Sequence, residues 1–369
     1  MDLTMARTSQ RPMLALITLM LLIAAFVAAT VLIGSQRRSP APLFRNGAVV
    51  FAQDGDLFIA DQPGGTSRPL VAGPDEDHVP VFSPQGDRIA FVREVPDDTW
   101  AARIMTVHPD GSAVTELAKI GDNWGLKLAW APDGSALLVG SAVFHGSWQL
   151  DLVKSDGTGS RTIVAGRDVG AGPASWRPGG RHIAFLAEAG DAVLVYLADT
   201  EGMNARRLVI DDVVSPRYLA WSPDGTHLLV GDGLRMTIAE ITEDGTVTGS
   251  NLVSLDPQVS VESDPVWAPD GGRLAFVARY GSTYRFAVVD PDGSDYRTVG
   301  PSGSSSFADT YGVLWSPDGR SLIVMGSVSK QDPETGTWRH VDQALSVDLA
   351  TDTTTEVRNP VDSWQRLAP

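Results

Sequence analysis

The stretch LAWSPDGTHLLVGD, residues 219–232, reads as a strand, a tight turn and a second strand. Proline presets φ near about −65° at the second position of a type I turn, and Asp is favoured in turns. Glycine supplies the positive φ that lets the chain re-enter an antiparallel ladder. Because an aliphatic run follows the turn, the stretch predicts a β-hairpin.

The same hairpin recurs through the chain at spacings of 45 to 48 residues. In every copy an aromatic residue ends the first strand, proline follows two residues later and glycine four residues later. The aromatic residues are Phe82, Trp130, Trp176, Trp221, Trp267 and Trp315. Each period also contains a second hairpin, with a turn such as HPDGSA at residues 108–113. Four strands in about 46 residues are typical of a β-propeller blade, and a repeated aromatic is expected to pack between blades.

The two ends of the repeat set the number of blades. Residues 47–73 supply the second, third and fourth strands of a unit, and VDSWQRLAP at residues 361–369 supplies a first strand ending at Trp364. Six complete units and this shared one predict an all-β, seven-bladed propeller, closed by N- and C-terminal strands in one blade. Such pairing removes exposed strand edges. A six-bladed ring is the alternative, with one weak unit read as a loop.

The N-terminus predicts a membrane anchor. Residues 13–34 contain no charge and are long enough to cross a bilayer as a helix. We divide the chain into a short cytoplasmic N-terminus (1–12), a transmembrane anchor (13–34), a linker (35–46) and the propeller (47–369). A cleaved signal peptide is the alternative. The predicted location is the cell membrane, single-pass, with the propeller on the periplasmic or extracellular side; a cytoplasmic domain encoded further upstream is a third possibility.

Three copies of the repeat resemble a known family. PVFSPQGDRIAFVRE (80–94), PVWAPDGGRLAFVAR (265–279) and LAWSPDGTHLLVGD are similar to the WD-like repeats of the TolB family of bacterial β-propellers. The resemblance covers the chain from about Gly47 to Pro369. It implies an exported scaffold, and the same repeat also forms the propeller that shields the active site of prolyl-oligopeptidase-type peptidases. TolB itself has six blades and an additional α/β domain, whereas seven blades are counted here.

Composition and motifs exclude several kinds of chemistry. The chain has no cysteine, which excludes disulfides and thiolate sites. A net charge of −16 disfavours nucleic-acid binding. No G-x-S-x-G nucleophile elbow occurs, and no residues remain outside the predicted ring for a hydrolase domain. The six histidines form no pair at zinc-ligand spacing, so no catalytic residue and no resident cofactor is predicted.

Acidic residues precede the first strand of several blades and should gather near one end of the central channel. The candidate ligands of a divalent cation such as Ca²⁺ are Asp77, Asp122, Asp168, Asp212, Asp264 and Asp309. The same residues are equally suited to capping turns and solvating the rim.

Three long connections insert an aromatic residue among polar ones, and exposed aromatics in loops often serve as binding anchors. These candidates are Trp100, Trp148 and Trp338, with packing against a blade as the other interpretation. We predict a noncatalytic, monomeric propeller that binds a protein, peptide or envelope component. The alternative is a lactonase- or lyase-like enzyme with a cation site at the channel mouth.

Overall fold

The structure, a computed structural model, describes residues 44–45, 48–61, 65–94, 101–121, 124–143, 147–166, 174–179, 181–189, 192–300, 309–316, 318–331 and 338–356. Its strands form seven antiparallel sheets in chain order, each one blade of a β-propeller. The predicted seven blades are confirmed, and the six-bladed alternative is wrong. The described residues contain no helix long and apolar enough to cross a membrane, and the anchor predicted at 13–34 lies outside them.

Each blade is a meander whose strands follow one another from the axis outwards. Blade 1 contains β1 (Phe44–Arg45), β2 (Ala48–Gln53), β3 (Asp56–Ala60) and β4 (Ser67–Val71). Blade 2 contains β5 (Asp77–Phe82), β6 (Ile89–Glu94), β7 (Ala101–Val107) and β8 (Thr115–Gly121). Blade 3 contains β9 (Trp124–Trp130), β10 (Ala136–Val143), β11 (Ser147–Lys154) and β12 (Ser160–Gly166).

The remaining four blades repeat this order. Blade 4 contains β13 (Ala174–Trp176), β14 (His182–Ala189), β15 (Ala192–Asp199) and β16 (Arg206–Leu208). Blade 5 contains β17 (Tyr218–Trp221), β18 (His227–Gly231), β19 (Met236–Ile241) and β20 (Val247–Val253). In blade 6 the first strand is split into β21 (Val259–Val261) and β22 (Val266–Trp267), followed by β23 (Leu274–Tyr280), β24 (Thr283–Val289) and β25 (Arg297–Val299). Blade 7 contains β26 (Asp309–Trp315), β27 (Ser321–Gln331), β28 (Trp338–Asp348) and β29 (Thr354–Glu356).

The first strand of blade 1 comes from a segment assigned to the linker. Phe44 and Arg45 pair with Val49 and Ala48, so β1 holds the innermost position of this sheet. The sequence did not reveal β1 because two residues carry no periodicity. The C-terminal strand around Trp364, predicted to close this blade, lies outside the described residues.

The hairpin that opened the sequence forms as predicted. Trp221 pairs with Leu228, and Gly225 lies at φ 70° in the turn between them. Because a residue with a Cβ adopts that region at a cost, glycine is the residue suited to this position.

The core is divided among the blade junctions. Six apolar clusters of buried residues each join two consecutive blades, from the pair 1–2 to the pair 6–7. The repeated aromatics Trp130, Trp176, Trp221 and Trp315 are buried in these clusters. The prediction that they pack between neighbouring blades is therefore confirmed, and burial of such large side chains stabilises each junction.

Candidate functional site

Strand direction sorts the loops onto two ends of the propeller. One end carries the connections that lead into each first strand and the turns between second and third strands, such as 72–76 and 232–235. We call it the entry face. The other end carries the repeated turns between first and second strands, such as 222–226, and we call it the turn face. Antiparallel order therefore brings the predicted acidic residues and the predicted aromatic anchors to the entry face.

Asp77 is the most buried of the described acids of the entry face, with only 3% of its surface exposed. It begins β5 and faces Arg93 of β6 in the strand register. Arg93 Nε donates to Asp77 Oδ1 (2.7 Å) and Arg93 Nη2 to Asp77 Oδ2 (2.8 Å), which is a bidentate pair. Burial raises the pKa of the Asp77 carboxyl, while the hydrogen bond to Asp77 raises the pKa of Arg93. The pair neutralises a carboxylate that would otherwise be a costly buried charge.

Blade 6 places an ion pair at the equivalent position. Glu262 lies five residues before Trp267, just as Asp77 lies five residues before Phe82. Arg279 Nε donates to Glu262 Oε1 at 2.6 Å, and Arg279 belongs to the second strand as Arg93 does. Asp77, at the start of a first strand, and Glu262, directly after β21, are therefore each held by an arginine of the second strand of the same blade.

Asp264 makes a contact across the propeller. Lys127 Nζ of β9 in blade 3 donates to Asp264 Oδ2 at 2.6 Å, and Asp264 lies between β21 and β22 of blade 6. In a ring of seven, blades 3 and 6 are as far apart as two blades can be. The contact therefore crosses the axis, and it places both side chains at the central channel.

The other candidate ligands are more dispersed. Asp212 is exposed in the connection before β17 and has φ 61°. Asp309 is the first residue of β26, while Asp122 and Asp168 lie outside the described residues. Within the part of the chain that the structure describes, no three His, Asp or Glu side chains are placed to share a metal ion. The calcium site stays a prediction.

The aromatic candidates belong to the connections between second and third strands. Trp148 is the second residue of β11 and Trp338 the first residue of β28, so both lie at the entry-face end of a third strand. Trp100 lies outside the described residues, directly before β7.

The second and third strands of blade 7 are longer than those of the other blades. β27 and β28 have 11 residues each, whereas the second and third strands of the other blades have five to eight. Residues 328–331 pair with 338–341, beyond the last described pairings of β26 and β29. Trp338 pairs with Gln331 at the end of this ribbon.

The sequence reading missed the cationic partners of the acids. Arg93 and Arg279 lie 11 and 12 residues after the repeated aromatic, and their acids lie five residues before it. The identical spacing of the two acids, with the arginines within one residue of the same spacing, was the signal that could have revealed both pairs. No such signal exists for Lys127, because 137 residues separate it from Asp264.

The repeat also determines the family. The profile of the TolB beta propeller domain matches residues 44–300. This chain belongs to the TolB β-propeller domain family. A curated relative, the uncharacterized peptidase YuxL of Bacillus subtilis (strain 168), is 29% identical over 162 residues, which are 42% of this chain and 22% of YuxL. The chain thus matches less than a quarter of that relative's length.

Solved structures share the fold of this TolB-type propeller. An oligogalacturonate lyase in complex with manganese has a TM-score of 0.59 at 15% identity, covering 79% of this chain and 85% of the lyase. A Mycobacterium tuberculosis puromycin-hydrolyzing peptidase has a TM-score of 0.58 at 14% identity, covering 91% of this chain and 56% of the peptidase. At such identities the likeness shows the fold alone.

Proposed function

We propose that this TolB-type propeller is a noncatalytic scaffold, held at the extracytoplasmic side of a membrane, that binds a protein, peptide or envelope component through its entry face. The observation that carries the proposal is that three of the described acids of this face form ion pairs. Asp77, Glu262 and Asp264 each contact the cationic group of an arginine or lysine. Carboxylates held in this way serve the architecture of the ring rather than a reaction.

The cost of breaking the Asp77–Arg93 pair argues against a metal ion bound by Asp77. A metal ion that took both Asp77 oxygens would have to displace Arg93, whose side chain is only 16% exposed. The Arg93 guanidinium would then remain largely buried with only Asp75 Oδ2, 3.5 Å from Arg93 Nη1, as a carboxylate partner, and breaking such a buried pair typically costs about 3–5 kcal/mol. The Lys127–Asp264 contact is more exposed and is weaker for that reason.

The aromatic connections support a binding role for the same face. Two of the three predicted anchors, Trp148 and Trp338, occupy entry-face ends of strands, and β27 and β28 are longer than the second and third strands of the other blades. Tryptophan is enriched among the residues that dominate binding energy in protein interfaces. The membrane anchor and the extracytoplasmic location rest on the uncharged segment 13–34.

Site-specific photocrosslinking in intact cells tests the proposal. A photoreactive amino acid is placed in the full chain at Trp148 or Trp338, and at Thr158 as a control. Thr158 is exposed in the turn between β11 and β12, at the turn face of the same blade as Trp148. We expect a discrete adduct from the entry-face positions and none from Thr158. Equal adducts from both faces, or none from either entry-face position, would contradict the proposal.

A propeller enzyme with a cation at the channel mouth is the second candidate. It is favoured by the fold shared with an oligogalacturonate lyase in complex with manganese and by the acids around the channel. Melting of the full chain with and without Ca²⁺ or Mn²⁺ separates the candidates. A cation-dependent rise in Tm that Asp77→Asn or Asp264→Asn abolishes would favour the enzyme, whereas an unchanged Tm supports the scaffold.

A further inference from the structure

A cavity of about 520 Å³ lies on the turn face between blades 5 and 6, away from the proposed binding face. Its lining includes Trp267, Leu252 and Gly271 together with three carboxylates, those of Asp224, Asp270 and Asp292. Leu252 is 46% exposed, although it is a large apolar side chain. An aromatic ring surrounded by carboxylates is the combination that attracts an organic cation.

Three other blade junctions show what the same position binds. Arg88 of blade 2 stacks on Trp130 at 5.1 Å, Arg177 of blade 4 on Trp221 at 4.9 Å, and Arg273 of blade 6 on Trp315 at 5.0 Å. Each guanidinium also donates to the carbonyl of the turn glycine four residues after that tryptophan. The three acceptors are Gly134 O (3.1 Å), Gly225 O (2.7 Å) and Gly319 O (3.0 Å).

The junction between blades 5 and 6 has the tryptophan and the glycine but not the arginine. Arg88 and Arg273 lie six residues after their own blade's aromatic and Arg177 one residue after it; blade 5 has His227 and Ser222 at these positions. Among the described residues no guanidinium stacks on Trp267, which is only half-buried. Blade 3 also lacks the arginine, but its neighbour Trp176 is 8% exposed and therefore covered by other groups.

We propose that this cavity binds the guanidinium of an arginine side chain presented by a partner polypeptide. The ligand's guanidinium stacks on Trp267 and donates to Gly271 O, as the chain's own arginines do at three junctions. Asp270 and Asp292 stand beside the cavity and supply the negative charge that draws a cation to it. The hydrogen bonds that Ser294 donates lower the pKa of Asp292, so this carboxylate is ionised at neutral pH.

Fluorine NMR of the full chain labelled with 5-fluorotryptophan tests the site directly. The Trp267 resonance is assigned by its loss in Trp267→Phe. Titration with the peptide acetyl-Gly-Arg-Gly-amide should shift that resonance saturably, while the citrulline analogue, which has the same shape without the charge, should leave it in place. Equal shifts from both peptides would overturn the proposal.

A second titration separates a polypeptide ligand from the free amino acid. The α-carboxylate of free arginine is repelled by Asp224 and Asp270 and its α-ammonium is attracted, so these two charges largely offset one another. The peptide should bind more tightly because its flanking groups add contacts, among them contacts with the exposed Leu252. Tighter binding of free arginine would assign the cavity to a small metabolite and overturn the polypeptide source.

The variant His227→Arg tests whether an arginine can occupy this cavity as Arg88 and Arg273 occupy the equivalent positions at their junctions. The new side chain should occupy the position of Arg88 and Arg273, fill the cavity from within and abolish the peptide-induced shift. The added stacking should raise Tm by about 1–2 °C, and a lowered Tm would contradict the precedent. Thr248→Arg, at an exposed position of β20, is the matched control that adds the same charge elsewhere and should keep peptide binding.

A milder variant keeps the experiment decisive if His227→Arg does not fold. Asp270→Asn preserves shape and removes one carboxylate of the cavity, so peptide affinity should fall several-fold. Unchanged affinity in Asp270→Asn, or full peptide binding by a folded His227→Arg, would contradict the proposed site.

Discussion

At the scale of single residues, arginine acts beside the repeated tryptophans in joining neighbouring blades. Arg177 is the extreme case, because only 6% of its surface is exposed. Its guanidinium donates to Gly225 O, Thr242 O (2.7 Å) and Ile241 O (2.9 Å) of the next blade. These bonds satisfy carbonyls at a junction where an unpaired acceptor would be costly. The chain thus uses cations where two blades meet, despite its acidic surface.

Replacing Arg177 by methionine should lower the free energy of unfolding by about 3 kcal/mol, because carbonyl acceptors at the junction lose their donor while the apolar stem is retained. Arg273→Met is the matched control. Arg273 is half-buried and donates to Gly319 O at 3.0 Å, so its loss should cost about 1 kcal/mol. Thermal melts of both variants measure the difference, and equal losses would contradict the assigned role of Arg177.

The carboxylate of the repeated turn makes stability depend on pH. Asp224 accepts hydrogen bonds from Ser222 Oγ (2.6 Å) and from Thr226 N (3.0 Å) and Oγ1 (2.7 Å). These bonds, led by that from Ser222, lower the pKa of Asp224 to about 2. Because the folded pKa lies below the unfolded value, the stabilisation is present above about pH 4 and is lost as the pH falls towards 2.

Asp224→Asn should therefore lower Tm at neutral pH and flatten the fall of Tm between about pH 4 and pH 2. Asp270→Asn changes the same turn position in blade 6, where Asp270 accepts a bond from Gly272 N at 2.9 Å. Tm at neutral pH should fall less in Asp270→Asn than in Asp224→Asn, because fewer hydrogen bonds to the carboxylate are lost. A wild-type acid profile in Asp224→Asn would show that the turn carboxylate does not stabilise the fold.

At the scale of the elements, the repeated turn explains why the hairpin and blade count could be predicted. Proline, aspartate and glycine lie within five residues of one another, so their order determines the conformation of the turn. That conformation can therefore be predicted from the local sequence alone. The partners of Asp77 and Asp264 depend on register and on contacts between distant blades, which no local pattern records. β1 escaped prediction for the related reason that its two residues are held only by pairing with β2.

A comparison of two turn glycines distinguishes the cost of backbone strain from the cost of a steric clash. Gly225 and Gly179 both have positive φ, of 70° and 60°. A Cβ at Gly225 would stand 2.6 Å from Pro178 O, whereas no described atom lies within 4 Å of a Cβ at Gly179. Gly179→Ala should cost about 1 kcal/mol of stability from the left-handed conformation alone, and Gly225→Ala clearly more. Denaturant unfolding of the two variants gives the comparison, and equal losses would contradict it.

At the scale of the whole propeller, the contact between Lys127 and Asp264 depends on how the blades are arranged about the central channel. Both side chains are more than one-third exposed, so their ion pair contributes at most about 1 kcal/mol. The contact is informative about the arrangement of the blades, because side chains of blades 3 and 6 can touch only if both blades face a common axis. Apolar clusters join consecutive blades, whereas this contact depends on the arrangement of all the blades between them.

Reversing the two charges tests that arrangement. Lys127→Glu should lower stability by up to about 1 kcal/mol, because it places two carboxylates together at the channel, and Asp264→Lys should do the same with two cations. The double variant restores opposite charges across the axis, so it should lose less stability than the two single variants lose together. Raised salt should reduce this coupling between the two sites. Thermal melts at low and high ionic strength measure the coupling. Strictly additive effects would place the two side chains apart and remove the evidence that blades 3 and 6 face one another across the channel.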